Sequence, residues 1–286
     1  MSNKADLILK AARLRERILD IALKAGKGHV PPAFSCVDIL TTLYYGSILR
    51  YRPDDPKWDK RDRFILSKGH GCLALYCALS DAGFFPEREL FCFSGHGSML
   101  AGHPDTRVPG VEVVSGSLGH GLGMGAGMAL AARMDKKTWR AYVLLGDGEC
   151  NEGALWEAAM FAGHHRLSNL VAIVDRNGLG ATDFTENFLS LEPLDRKWKV
   201  FGWDVMRING HSFKALQKAL LRAKSARAKK PSVIIADTVK GKGVDFMQNS
   251  PLWHHRLPKG DEAQQAMRTL RSCVERAKVS GKKQKK

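Results

Sequence analysis

The sequence predicts a single α/β domain whose mainly parallel sheet is flanked by helices. Its second half contains four short apolar runs that alternate with stretches of helical periodicity, and these runs cover residues 141–146, 170–175, 204–209 and 232–237. Continuous apolar runs of this length are typical of parallel strands buried on both faces, and the alternation indicates βαβ units. A chain of 286 residues, 44% hydrophobic and 26% charged, suits one such domain with extensions.

The first half of the chain begins with helical patterns. Residues 4–25 place leucine and isoleucine side chains at helical spacing, which predicts an amphipathic helix. A turn is expected at 26–32, followed by a second helix over 38–49. The apolar triplet at 64–66 predicts a short strand that leads to a glycine-flanked histidine.

The middle of the chain combines one helix with long irregular stretches. Residues 71–83 are predicted to be helical, whereas 84–110 are rich in Gly, Pro, Ser and aromatic residues and predict a loop. A loop of this length is uncommon in a compact domain unless it is functional. The glycine-spaced run at 116–134 predicts a tight loop that feeds a closely packed helix.

The formal net charge of +16 is the feature that would suit a nucleic-acid-binding protein, but its distribution argues against one. Basic side chains concentrate in a helix-like stretch at 214–230 and in a lysine-rich tail at 278–286, without interleaved aromatic residues. An anionic ligand, an acidic partner subunit or no particular function accounts better for the excess. Retention on DNA that falls steeply with salt would indicate the rival function.

The sequence also bears on the compartment. It contains no run of 18 apolar residues, and its charged N-terminal pattern lacks a signal-peptide core. The six cysteines form no C-x-x-C pair and no zinc-like spacing with histidine, so they are expected to be reduced and inert. We therefore expect a cytoplasmic protein without a membrane segment.

Two neighbouring apolar runs end in residues that suit a divalent cation. Glycines bracket Asp147 directly after the run at 141–146, and Asn177 follows the next run. Because ligands lie beyond the carboxyl ends of parallel strands, these side chains are expected to converge, and glycines around Leu179 allow its carbonyl to turn inward. Such oxygen groups suit Mg²⁺, which usually shares its coordination with phosphates. Gly-Asp-Gly alone is a common turn, and an ordinary turn is the alternative.

Five further segments carry a family resemblance. They are KAGKGHVPPAFSCVDIL at 24–40, RDRFILSKGHG at 61–71, AGHPD at 101–105, GSLGHGL at 116–122 and KGKGVDF…WHH at 240–255. Together with the Asp147 motif, in this order, they resemble the transketolase family from about residue 10 to residue 260. Full-length transketolases continue with a pyrimidine-binding and a C-terminal domain. The resemblance is therefore to the N-terminal, diphosphate-binding subunit of a split, two-chain transketolase.

The resemblance implies an organisation in three parts. Residues 26–260 are expected to form a diphosphate-binding (PP-type) α/β domain for thiamine diphosphate and magnesium. Residues 1–25 would be a helix packed on that domain, and residues 261–286 a helical extension with a flexible lysine-rich tail.

The resemblance also implies roles for individual residues. Asp147, Asn177 and the Leu179 carbonyl would hold Mg²⁺, or Ca²⁺ or Mn²⁺ in its place. The cofactor-binding set would be His70, Gly116, Leu118, Gly148, Glu152 and His254, and the catalytic set His29, His103 and His254. For Glu152 two interpretations stay open, a hydrogen bond across to the missing half or an ordinary carboxylate at a helix start.

The implied activity is transfer of a two-carbon ketol unit between sugar phosphates, by an α2β2 heterotetramer in which a C-terminal subunit completes the site. Two alternatives remain. One is another thiamine-dependent C–C ligase similar to 1-deoxyxylulose-5-phosphate synthase, which would use pyruvate as donor. The other is a non-catalytic homologue, since His120 and His255 replace the glutamine and glycine that are usual in the family.

Overall fold

A five-stranded parallel sheet lies at the centre of the computed structural model, which describes residues 4–225 and 228–283. Within these ranges the strands are β1 (Arg63–Leu66), β2 (Ala141–Gly146), β3 (Leu170–Arg176), β4 (Asp204–Asn209) and β5 (Ser232–Asp237). Their spatial order is β1-β2-β3-β5-β4, and every neighbouring pair is parallel. The predicted fold class and the four apolar strands are thereby confirmed.

Helices cover both faces of this sheet. They are α1 (Lys4–Ala25), α2 (Val30–Tyr45), α3 (Cys72–Asp81), α4 (Gly121–Met134), α5 (Gly153–His164), α6 (Thr185–Phe188), α7 (Leu194–Val200), α8 (Phe213–Ala223) and α9 (Gly260–Lys283). Short 3-10 turns occur at Gly69–Gly71, Glu87–Cys92, Gly148–Asn151, Asp245–Met247 and Pro251–Trp253. Within 4–225 and 228–283, each helix is too short or too polar to cross a bilayer.

The central strands bury side chains on both faces, which explains their continuous apolar runs. Along β2, Tyr142 and Leu144 join a core that also contains α1, α2, α3 and α8. Val143 and Leu145 join the opposite core, beneath α4, α5 and α7. This alternation has the period of two expected for a strand, with each face covered by helices.

The second helix starts earlier than the sequence predicted. It begins at Val30 rather than 38 and ends at Tyr45 rather than 49, so the expected turn at 26–32 is shorter. Pro31 and Pro32 occupy the first helical turn, where backbone N–H groups lack intrahelical acceptors and proline is tolerated.

The C-terminal part also differs from the prediction. The helix α9 continues through residue 283, into the tail that was expected to be flexible from 278, and residues 284–286 lie outside the described ranges. The helix expected over 214–230 ends at Ala223. The helix α1 packs against both α2 and α9, burying Leu7, Leu14 and Ile18.

Candidate active site

A cavity of about 320 Å³ lies at the carboxyl edge of the sheet. It collects seven of the residues that the sequence singled out, namely His70, Leu118, Asp147, Gly148, Asn177, Leu179 and His254. It is also lined by Lys68, Glu149 and Lys240, to which the sequence reasoning assigned no role. Convergence of residues from separate loops at this edge is the arrangement expected of a ligand site in a parallel sheet.

Asp147 follows β2 and is only 1% exposed. Its Oδ1 accepts a hydrogen bond from the amide of Gly148 at 2.9 Å, and its Oδ2 accepts from the amide of Gly178 at 2.6 Å and from Arg176 at 3.0 Å. Burial raises the pKa of Asp147, and the neighbouring charge of Asp175 raises it further, while Arg176 and Gly178 oppose the rise.

Asn177 and Leu179 lie beside Asp147, because the residues Gly146 and Asp175 are paired at the ends of β2 and β3. The loop after β3 is fixed by a hydrogen bond of 3.1 Å from the amide of Leu179 to Oδ1 of Asn177. Three residues that can offer a carboxylate, a side-chain amide and a backbone carbonyl thus line one cavity. Their hard oxygen atoms fit a magnesium ion that is shared with a phosphate ligand.

A cluster of five imidazoles adjoins this cavity. His29 is its centre, with ring centroids 5.8 Å from His70, 5.5 Å from His254, 6.2 Å from His103 and 4.6 Å from His255. The rings of His70 and His254 are 5.4 Å apart and line the cavity, whereas His103 and His255 are exposed. The four histidines selected from the sequence therefore meet, and His255 joins them.

Burial makes the inner imidazoles weak bases. It lowers the pKa of His29 to about 4, assisted by His255 and His103. It lowers the pKa of His254 to about 3, assisted by Lys240, and it holds the pKa of His70 well below its ordinary value. At neutral pH these three rings are uncharged, so each can both donate and accept hydrogen bonds.

Lys240 brings a cation to the same place. Its Nζ lies 2.6 Å from the carbonyl oxygen of Gly180 and 2.7 Å from Nδ1 of His254. Burial lowers the pKa of Lys240 to about 8, and the nearby charge of Lys68 contributes. The sequence singled out the segment at 240–255 by its family resemblance, without a role for this lysine.

Glu149 is the buried glutamate of the site, whereas Glu152 is exposed. Glu149 accepts hydrogen bonds from the amides of Gly119 and Gly146 and from the hydroxyl of Ser67, which fixes the glycine loop against β1 and β2. Glu152 is the N-cap residue of α5, and in the part of the chain that the structure describes it stands outside the cavity lining. Its predicted place in the cofactor-binding set therefore has no support from the cavity geometry.

Gly116 lies next to the imidazole cluster, with a φ of +147° that favours glycine. A Cβ atom at this position would be 3.3 Å from the ring of His103, which leaves little room for any side chain. His120, the other departure from the family pattern, is an exposed residue at the N-terminus of α4.

A larger groove of about 730 Å³ lies between α1, α3 and α9. Most of its charged side chains pair with one another or with neighbours, including Arg17 with Glu87 and Glu16 with Arg271. The smaller cavity at the sheet edge is the better candidate, because its polar groups come from several loops and have strongly shifted pKa values.

A parallel sheet with oxygen ligands, buried lysines and neutral imidazoles at its carboxyl edge defines an α/β domain suited to an anionic ligand and its counter-cation. The family described as transketolase, thiamine diphosphate binding domain, matches residues 7–274, and the chain belongs to it.

Relatives of similar length are named as subunits. The chain is 43% identical over 270 residues to an apulose-4-phosphate transketolase subunit of Phocaeicola vulgatus, covering 94% of this chain and 95% of the relative. It is 41% identical over 251 residues to a 6-deoxy-6-sulfo-D-fructose transketolase subunit of a Clostridium species, covering 87% and 90%. These matches confirm the predicted resemblance to the N-terminal subunits of split transketolases.

Solved transketolases have the same fold over about half of their length. The Campylobacter jejuni enzyme superimposes with a TM-score of 0.85 at 30% identity, over 100% of this chain and 48% of that one. Human transketolase is 38% identical over 94% of this chain and 42% of its own length.

Proposed function

We propose that this chain is the N-terminal subunit of a transketolase that uses thiamine diphosphate and Mg²⁺. With a C-terminal subunit, it would transfer a two-carbon ketol unit from a ketose or ketose phosphate to an aldose or aldose phosphate. The observation that carries this proposal is the convergence of Asp147, Asn177 and Leu179 in one cavity with His70, Lys240 and His254.

Different residues of this chain would bind the metal ion and the diphosphate. Asp147, Asn177 and the Leu179 carbonyl would hold Mg²⁺, or Ca²⁺ or Mn²⁺ in its place. The cation of Lys240 and the ring of His70 line the cavity that would receive the diphosphate. Thiamine diphosphate, when bound, supplies the carbon nucleophile for ketol transfer.

The neutral rings of His29 and His254, together with the exposed His103, would contact the hydroxyl groups of the sugar. An uncharged imidazole can accept a proton at one nitrogen while donating from the other, which suits proton movements on a ketose. The relatives' names include a sugar phosphate and a sulfo sugar, both anionic. The cation of Lys240 and the hydrogen-bonding imidazoles around this cavity suit such substrates.

The need for a partner rests on an exposed apolar surface. We define the α4–α5 face as Gly123, Met124, Gly127, Met128, Met134, Met160 and Phe161. Met134 is 74% exposed, Met160 48% and Phe161 41%, and the sequence of α4 has no charged residue before Arg133. Large exposed apolar patches mark interaction sites, and the relatives of similar length are named as subunits, so a C-terminal subunit in an α2β2 assembly is proposed.

The decisive experiment is calorimetry on the complex of this chain with a C-terminal transketolase subunit. Thiamine diphosphate should bind only when Mg²⁺ is present. Asp147→Ala should weaken that binding by at least about 100-fold, since changes behind the ligands alone cost about 10- to 100-fold. Asp237→Ala is the matched control, because Asp237 ends β5 of the same sheet but lies at 45% side-chain exposure in an ion pair with Arg207.

Unchanged binding by Asp147→Ala, or uptake that ignores Mg²⁺, would overturn the proposal. A coupled assay on the same complex would then compare ketose phosphates with pyruvate as donor. Turnover of pyruvate would favour a ligase similar to 1-deoxyxylulose-5-phosphate synthase, and cofactor binding without turnover would favour a non-catalytic homologue.

A further inference from the structure

His211 lies outside the cavity, in the turn between β4 and α8, and both of its ring nitrogens are engaged. Its Nε2 accepts a hydrogen bond of 2.9 Å from the amide of Val239. Its Nδ1 is 2.6 Å from Oδ2 of Asp38. Because a backbone amide can only donate, Nε2 carries no proton, so the proton is on Nδ1 and is donated to Asp38.

Asp38 is held in place from the other side. Arg15 of α1 donates to its two oxygens at 3.0 and 2.7 Å and also to the carbonyl of Phe34 at 3.1 Å. Burial works against ionisation of Asp38, but Arg15 and the hydrogen bond from His211 lower its pKa to about 2. A fixed carboxylate therefore orients the imidazole and selects its tautomer.

Val239 connects this network to the cavity, because the next residue is Lys240. The Nζ of Lys240 contacts both Gly180 and His254 there, as described above. On its far side the loop is tied by a hydrogen bond of 3.1 Å from the amide of Gly241 to the carbonyl of Pro31. The hydrogen bond from the amide of Val239 to His211 thus fixes the loop directly before Lys240.

We infer that His211 is a positioning residue, which places Lys240 against His254 through its acceptor bond to Val239. The chain of contacts Arg15–Asp38–His211–Val239 joins α1, α2 and the β4–α8 turn to the loop that carries Lys240. The predicted effect on cofactor affinity rests on the proposed function, whereas the effect on the environment of His254 does not.

Two substitutions test the hydrogen bonds of Nδ1 and Nε2 separately. His211→Asn can still donate to Asp38 from the position of Nδ1, but it is too short to reach Val239. His211→Gln places an amide oxygen near the position of Nε2 and can keep the bond to Val239. The control is Ser212→Ala, which removes the side chain that caps α8 through Ala215 and leaves Val239 untouched.

The first measurement is the NMR titration of His254 in the isolated chain between pH 5 and 8, assigned with His254→Gln. In the wild type His254 should not titrate in this range, because burial and Lys240 lower its pKa to about 3. In His211→Asn the pKa of His254 should rise, because Lys240 is no longer held against its ring. In His211→Gln and Ser212→Ala the pKa of His254 should stay at its wild-type value. The inference fails if no variant shifts, if all shift, or if only Ser212→Ala does.

The second measurement is thiamine diphosphate affinity in the complex with Mg²⁺. His211→Asn should weaken it about tenfold, as changes behind a binding group commonly do, while His211→Gln stays near wild type. If the wild-type complex takes up no cofactor, the proposed function fails, and the titration of His254 still decides the role of His211. If His211→Asn lowers the melting temperature but leaves the cofactor affinity unchanged, His211 has only a structural role.

Discussion

Lys68 and Asp175 form an ion pair beneath the candidate site, with relative exposures of 1% and 0%. The pair is completed by polar neighbours, since Asp175 also accepts from Ser35 at 2.6 Å and Lys68 donates to the carbonyl of Pro32 at 3.0 Å. Burial opposes both charges, but Asp175 raises the pKa of Lys68 and Lys68 lowers that of Asp175. Both groups therefore stay ionised, because each charge stabilises the other.

Removal of one partner should be costly. Lys68→Met is expected to lower the free energy of unfolding by about 3–5 kcal/mol, because it leaves a buried carboxylate without its cation. Urea unfolding of the isolated chain measures this. Lys10→Met is the control, since Lys10 pairs with Asp81 at 29% and 34% side-chain exposure and should contribute about 1 kcal/mol or less. Equal costs for the two variants would contradict the buried-pair argument.

The neutral imidazoles predict acid sensitivity. Unfolded histidine takes up a proton near pH 6.5, whereas His29 and His254 in the folded chain do so only near 4 and 3. Between these values the unfolded state binds more protons, so stability must fall as the pH falls from 6.5 toward 3. The melting temperature should drop over this window, and less steeply in the double variant His29→Gln, His254→Gln. An identical slope in that variant would refute the assignment.

At the residue scale, the sequence located the polar groups that follow strands but not those that face each other from distant segments. Asp147 and Asn177 could be found because each comes directly after a buried strand. Lys68 could not, since its significance depends on Asp175, which lies 107 residues further on. Glu149 and Glu152 look alike in the sequence, and the 3-10 turn at Gly148–Asn151 decides which of them is buried.

At the scale of elements, two of the four glycines of the helix α4 have opposite surroundings. A Cβ atom on Gly125 would lie 2.5 Å from a methyl carbon of Val143 in β2, so this glycine permits close packing of helix on sheet. Among the described residues, a Cβ atom on Gly127 would meet nothing within 4 Å.

The two glycines form a matched pair for substitution. Gly125→Ala should destabilise the chain by about 1–3 kcal/mol through overpacking. Gly127→Ala should stabilise it by about 0.5–1 kcal/mol, because alanine is the better helix former and no contact opposes it. Chemical unfolding of the isolated chain, with circular dichroism as the signal, measures both. Stabilisation by both variants would show that helix propensity, and not the contact with Val143, governs this helix.

The elements themselves were predictable to the extent that burial imposes a simple pattern. The strands β2, β4 and β5 match the predicted apolar runs residue for residue, and β3 is one residue longer. The start of α2 was missed because Pro31 and Pro32 predict a turn as readily as a first helical turn. Only packing against α1 and α3 distinguishes the two.

At the scale of the whole molecule, two surfaces differ in composition, that of α8 and the α4–α5 face. The helix α8 carries basic residues on its exposed side, whereas the α4–α5 face presents methionine, phenylalanine and glycine. A surface of this composition is unfavourable in water, because burial of apolar area would contribute a favourable free energy of about 25 cal/mol per Å². The residues Phe188 and Leu189, exposed at 48% and 57%, add apolar surface near the cavity, which Phe188 helps to line.

The apolar composition of the α4–α5 face predicts where the partner subunit binds. Met160→Glu combined with Phe161→Glu places two charges on the α4–α5 face without touching the cavity, and it should abolish co-elution with a C-terminal transketolase subunit in size-exclusion chromatography. Val279→Glu is the control, because Val279 is 55% exposed on α9, a different element. The charged double variant should remain folded when alone, with a melting temperature within a few degrees of the wild type, since Met160 and Phe161 are 48% and 41% exposed in the isolated chain. Co-elution that survives the double variant but fails in Val279→Glu would move the interface to α9, and would leave the apolar composition of α4 without a function.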